Sequence, residues 1–227
     1  QMHWWQLCNM IGGLTDKWNQ MFTTIDYEII QRIEQDGYNV SQQPHDHRRF
    51  LIRGDNLRLK INDLGLRGKH SWEKHIPFIY KIASIEDRLE LIRGLFDTDG
   101  TISKDGTRIV YSTTSEQLAL DVEWICRSLG CRCATNTRIH TFTYKGERKK
   151  GRLQYILTIS EQNGLLLFNL PRKRDRQLNR IQNTRKQEVN HILRDIKLVG
   201  KKQCRCILVS NPDHLYITDD FIVTHNT

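Results

Sequence analysis

Ile92-Arg93-Gly94-Leu95-Phe96-Asp97-Thr98-Asp99-Gly100 decides the fold of this chain. It closes the segment 84–96, in which Ile85, Leu89, Ile92, Leu95 and Phe96 recur at helical spacing, so the stretch predicts an amphipathic helix. Gly94 falls on the packing side, where the lack of a side chain lets a second helix approach closely. The end of the helix is the unusual part. Asp97 and Asp99 put carboxylates where a helix terminus already carries partial negative charge. An Asp-x-Asp-Gly run serves as a plain helix stop or as a place for a cation, and only a cation offsets the electrostatic penalty.

Outward from this helix the elements alternate. Strands are expected over 100–103 and 107–112, a helix over 115–129 stopped by Gly130, and a hairpin of strands 131–143 and 153–159 with a basic tip over 144–151. A short helix over 161–169 is expected before Pro171. Upstream lies a weaker version of the same order: an apolar helix over 4–13, a strand over 19–24, a helix over 26–36 closed by Gly37, strands 38–40 and 49–52, and a helix over 55–64. The fold class is α+β, built from two related halves.

The segment ending in Asp97-Thr98-Asp99-Gly100 resembles the LAGLIDADG motif of dodecapeptide-type homing endonucleases. Lys74-His75-Ile76-Pro77, leading to Ser84 and Arg88, is similar to the family's lysine-isoleucine-proline segment ahead of the second motif helix. Ser112-Thr113-Thr114-Ser115 through Gly130 resembles the helix after the first strand pair. The resemblance covers about residues 5–172. It implies an αββαββα pseudo-repeat, with two motif helices packed together and a carboxylate at each end around Mg²⁺ for phosphodiester hydrolysis. Each half would lay a β-ribbon in the major groove of double-stranded DNA, which is wide enough to take one. Asp99 is then the metal ligand, and Lys74 stabilises charge at the phosphate. The first half departs from the pattern: aligning Leu7 to Leu14 with the motif puts Gly13 where the carboxylate belongs, with Asp16 out of register. Impaired cleavage with retained DNA affinity is the expectation. A regulator or maturase-like DNA-binding protein that kept the scaffold and lost cleavage is the alternative.

Charge agrees with a polyanionic partner. Residues 138–202 hold 17 Lys or Arg against 5 Asp or Glu, in a chain whose net charge is +9. The rest is therefore slightly acidic. Six cysteines do not make a disulfide scaffold; Cys131/Cys133 and Cys204/Cys206 offer four thiols for zinc, but without the usual two-residue spacing, and they serve equally as small core residues. No run is apolar and long enough for a signal peptide or a membrane span, so an intracellular compartment is expected.

The tail carries a second chemistry. Alternating apolar residues over 206–209, 214–218 and 221–224, with turns over 210–213 and 219–220, read as strands ending in Thr224-His225-Asn226-Thr227. An Asn side-chain amide can attack its own main-chain carbonyl, and a neighbouring His can polarise that carbonyl or protonate the leaving nitrogen. The tail resembles the C-terminal Hint-type splicing region of an intein. That resemblance assigns cyclisation to Asn226, assistance to His225 and His214, and acyl acceptance to Thr227, the first host residue. With no Cys or Ser at Gln1, Cys206 and Thr224 match a minority type that starts from an internal Cys. The expected organisation is an N-terminally truncated intein: an endonuclease domain over 1–172, a basic linker or helix over 173–194, and a splicing segment over 195–227. Its missing partner is the N-terminal splicing region, and Thr227 suits a host such as an ATPase with a Gly-Lys-Thr phosphate loop.

Overall fold

A computed structural model describes residues 21–54, 56–162, 164–183 and 195–225. The expected helix over 4–13 with its Gly13, and the terminal Asn226 and Thr227, lie outside the described residues. The chain divides into two units, 1–183 and 184–227.

The first unit has two antiparallel sheets. In the first, β1 (Met21–Thr23), β2 (Asn39–Gln43) and β3 (Asp46–Arg53) are ordered β1-β3-β2. In the second, β4 (Gly100–Ile102), β5 (Ile109–Thr113), β6 (Arg132–Tyr144) and β7 (Glu147–Ser160) are ordered β4-β5-β7-β6. Helices Tyr27–Gln35, Leu57–Asp63, Phe78–Lys81, Ile85–Thr98 and Glu116–Ser128 connect them. The mixed α+β alternation of the sequence is therefore present in both described halves. One buried cluster runs from Phe22, Ile30 and Phe50 beside the first sheet to Leu157 beside the second.

Ile85–Thr98, the motif helix, sits inside that core: Leu91, Ile92, Leu95 and Phe96 are fully buried, and Gly94 is buried with them. Ser84 starts it by accepting a hydrogen bond from the Asp87 amide at 3.1 Å. Gly100 ends it for a steric reason, because a Cβ there would fall 2.7 Å from both the Cα and the O of Phe96.

One expectation about the first unit is corrected. The short helix expected over 161–169 is not formed among the described residues. Flanking side chains claim its backbone instead: the Leu167 amide donates to Gln177 Oε1 at 2.9 Å, Gln177 Nε2 to Leu165 O at 2.9 Å, and Arg93 Nε to Leu166 O at 2.9 Å. The basic stretch expected as a linker or helix begins as the helix Pro171–Asn183, which packs on the first unit through buried Lys173 and Gln177. Pro171 fits its first position, where no amide partner is needed.

The second unit contains β8 (Leu215–Ile217) paired antiparallel with β9 (Val223–His225) across a 3₁₀ turn at Asp219–Phe221. The expected strand over 206–209 is not formed; Cys206 lies exposed in irregular chain, and Leu208 is fully solvated. The apolar alternation there has no strand to pair with among the described residues.

Candidate active site and nucleic-acid face

Asp99 caps the C-terminus of the motif helix, its amide bonded to Leu95 O at 2.9 Å. Its carboxylate accepts no hydrogen bond among the described residues. It opens onto a cleft of about 310 Å³ that Thr24, Ile25, Arg48 and Thr98 help to line. Asp99 is solvent-exposed, with protein packed around its carboxylate. That surrounding mass pushes the carboxyl up to about 6, against the pull of Lys74 and Lys173.

Asp97, two residues earlier, is buried and fully employed. It accepts from the Asn169 amide at 3.1 Å and the Leu170 amide at 3.0 Å, at the start of the Pro171–Asn183 helix, where a carboxylate is favoured. Burial raises it to about 6, opposed by those two hydrogen bonds, then by Lys173 and Arg32. Lys173 returns the contact. Its Nζ donates to Phe96 O at 2.8 Å, Asp97 O at 2.7 Å and Gly100 O at 2.7 Å, satisfying carbonyls that the motif helix leaves open. Burial lowers Lys173 to about 8, with Arg172 adding to it. This two-way clasp fixes the residues on both sides of Asp99. Sequence reading missed both partners, because an Asp in the motif and a Lys in a basic run carried no mark of burial. Next to Lys173, Arg172 forms a bidentate pair with Asp26 at 2.7 and 2.8 Å, tying the clasp to the first half.

Lys74 lies half-buried on the loop before the motif helix. Burial lowers its ammonium, and Asp99 pulls it back up, so the two expected site residues share one electrostatic field without a direct hydrogen bond. The loop is pinned from the Glu116–Ser128 helix. Ser115 Oγ donates to Lys74 O at 2.6 Å, and buried Asp121 accepts from the Ile76 amide at 2.8 Å and from Lys81 Nζ at 2.8 Å. Asp121→Ala strands these two donors and Gln117 Nε2, which also donates to it at 3.0 Å. It is expected to cost about 3 kcal/mol in urea denaturation, the scale for breaking one side of a buried pair; a loss below about 1 kcal/mol would show that the loop is held elsewhere.

The four-stranded sheet turns Tyr111, Leu157 and Ile159 inward. By alternation its other face carries Ser112, Asn136, Arg138 and Gln154, with Arg138 opposite Gln154 and Asn136 opposite Ile156, and Arg152 follows in a β-bulge opposite His140. Beyond the sheet the β6–β7 hairpin ends in Lys145, Arg148, Lys149 and Lys150, with two of these lysines over the Tyr144 ring at 5.6 and 5.2 Å. Cys126 and Cys131 belong to the core. A hydrogen bond with Cys133, then burial, raises Cys126; burial raises Cys131 to about 12. Thiols held protonated in this way make poor zinc ligands. Cys204 and Cys206 lie in the other unit, and no group of three metal-binding side chains occurs among the described residues.

In the terminal unit, β8–β9 pairing sets His225 opposite Leu215 and Thr224 opposite Tyr216. The His214 ring lies edge-on to His225 with centroids 6.0 Å apart. Two of the expected splicing residues are thus brought together, whereas Cys206 stands outside the strand pair.

Residues 86–170 match the LAGLIDADG-like domain family. The chain is similar to that family over this stretch. It is 31% identical over 206 residues to the replicative DNA helicase DnaB of Mycobacterium intracellulare, covering 90% of this chain and 32% of that protein. A second DnaB, from Rhodothermus marinus, is 36% identical over 113 residues, or 48% of this chain and 11% of the relative. RecA of Mycobacterium bovis is 39% identical over 71 residues, 29% of this chain and 9% of its own length. The chain therefore spans a third or less of the curated relatives it matches. Among solved structures, a mesophilic variant of the homing endonuclease I-DmoI is 17% identical with a TM-score of 0.44, covering 69% of this chain and 87% of that one. I-DmoI in complex with DNA and Mn is likewise 17% identical, with a TM-score of 0.42 over 69% and 88% of the two chains. The LAGLIDADG-like match spans the motif helix, both strand pairs and the loop that receives Asp97.

Proposed function

We propose that this chain is part of an intein, with a LAGLIDADG-type DNA endonuclease domain followed by the C-terminal portion of a splicing domain. The observation that carries the endonuclease reading is Asp99: a carboxylate on a rigid helix end, left without a hydrogen-bond partner among the described residues at a cleft beside an open, basic sheet. Mg²⁺ suits that position, since it takes one or two carboxylates, keeps several waters and completes its shell with substrate phosphate. When bound, it supplies charge stabilisation and a more acidic water for phosphodiester cleavage. Asp99 would hold it. Lys74 would neutralise charge growing on the phosphate, and the clasp of Asp97 and Lys173 would keep Asp99 from moving as DNA enters. The cationic hairpin tip would engage the DNA backbone, and the amide and guanidinium groups of the open sheet face would meet base edges.

The test uses the 227-residue chain, Mg²⁺ and supercoiled plasmid carrying the helicase coding sequence without the insert. With Gly13 in place of a second carboxylate, nicked circles are the expected product. Linear DNA would show that the first half supplies a second acid, and unchanged plasmid with retained binding would favour the regulator-like alternative.

Splicing is the second part of the proposal. Two differently named proteins, DnaB and RecA, match the chain over minor shares of their lengths, the pattern that an insert carried by different hosts produces. The pairing of β8 with β9 holds His225 in a strand with the His214 ring against it, which supports a splicing role for this pair. Supplied with an upstream splicing region in trans, the chain is expected to release Thr227, and Asn226→Ala to block that release completely. Cys206→Ala is expected to block ligation while Asn cyclisation continues; wild-type ligation in this variant would assign the first nucleophile to another residue.

A further inference from the structure

We infer that Arg152, laid flat on the ring of Trp72, is a pre-set reader of a guanine edge in the DNA major groove; the inference rests on the DNA-binding reading above. The guanidinium carbon of Arg152 lies 3.4 Å from the Trp72 ring centroid. His70 stacks on the same indole at 4.4 Å with the planes 11° apart. Two groups so close to one centroid must occupy opposite faces, so His70, Trp72 and Arg152 form a three-layer pile. The guanidinium is thereby held in one plane, with its entropy of immobilisation already spent before any ligand arrives.

What the pile leaves free is the fork of N–H donors. Among the described residues no carboxylate pairs with Arg152 and no acceptor takes its hydrogen bonds, and it is solvent-exposed at the β-bulge of β7. It lies two residues from Gln154, which pairs across the ladder with Arg138. A fixed, unpaired guanidinium fork matches guanine O6 and N7, a bidentate pairing that Lys cannot copy. The flexible lysines of the hairpin tip are suited to phosphate, and Arg152 differs from them in being rigid.

The supporting indole is also tied to the reaction centre. Trp72 stands two residues before Lys74, on the loop anchored by Ser71 to Thr114 at 3.2 Å and by Lys74 O to Ser115 at 2.6 Å. A base that seats Arg152 against Trp72 therefore presses on the segment that presents Lys74.

The experiment selects binding sites from randomised duplex DNA with the wild-type chain, Arg152→Lys, Arg152→Ala and Trp72→Phe, then measures salt dependence on the selected site. The expected result for Arg152→Ala and Arg152→Lys is loss of a G·C preference at one position, by about 10- to 100-fold, with the salt slope of the lysine variant unchanged. Trp72→Phe should retain the preference in weakened form. If Arg152→Ala kept the preference and lowered the salt slope by about one, Arg152 would be a phosphate contact and the inference would fail. Unchanged selection and unchanged slope would also overturn it, with DNA binding itself intact. A wild-type chain that selects no sequence would remove the DNA-binding reading and this inference together.

Discussion

Asp99→Asn is expected to eliminate Mg²⁺-dependent nicking while leaving the fold and DNA binding whole. The loss should be on the order of a thousandfold, the scale for removing one preorganised electrostatic group from a reaction centre. The same substitution should not weaken the protein. The Asp99 carboxylate accepts no hydrogen bond from the described residues and sits at the negative end of the motif helix. Removing its charge is therefore expected to raise stability by up to about 1 kcal/mol. Three measurements check this on one purified variant: plasmid nicking, a DNA-binding isotherm and a urea titration. Activity lost with stability also lost would mean that Asp99 is a structural acid and that the reaction centre lies elsewhere.

Lys173→Met should do the reverse and strike the fold first. It leaves Phe96 O, Asp97 O and Gly100 O without their donor, inside a region from which water is excluded. Asp97 also loses a cation that helps keep it ionised. A destabilisation of roughly 3–5 kcal/mol is expected, the range for removing one member of a buried charged set. For a unit of this size that lowers Tm on the order of 10 °C. Lys173→Arg should not rescue it, because a planar fork cannot point at three converging carbonyls. The sign of the pH dependence gives an independent check. Burial lowers Lys173 to about 8 in the folded chain, against 10.5 for the free side chain. Between pH 8 and 10.5 the unfolded chain holds the proton that the folded chain has shed, so this residue's contribution to stability grows as pH rises through that window. Below pH 8 both states are charged and the contribution is flat. The gap between wild type and Lys173→Met should therefore widen from pH 8 to 10.

The motif helix, both hairpins of the second half and the Glu116–Ser128 helix were legible because each writes its burial in apolar periodicity and its ends in Ser, Gly or Asp. Asp99 was legible for the opposite reason, a charge placed against a helix dipole. The rest was hidden where polar groups do the packing. Segment 161–169 has the apolar content of a helix, yet Gln177 and Arg93 satisfy its backbone, and neither contact follows from spacing. The Pro171–Asn183 helix buries Lys173 and Gln177, so its inward stripe reads as solvent-facing on any hydropathy scale. The Trp72–Arg152 pile joins residues eighty apart through a loop and a strand, which no local pattern encodes. At 206–209 the pattern suggested a strand that is absent, because alternation without a neighbouring ladder is not enough to make one.

The clasp divides two adjacent acids into unequal dependants of selection. Asp97 is bound into the architecture by the Asn169 and Leu170 amides, whereas the Asp99 carboxylate accepts no hydrogen bond among the described residues. A lineage that no longer gained from cutting DNA would shed Asp99 freely, and with it a small electrostatic burden. The same lineage would keep Asp97 and Lys173 for as long as it kept a folded chain, so retired copies should be recognised by a missing second acid beside an intact first.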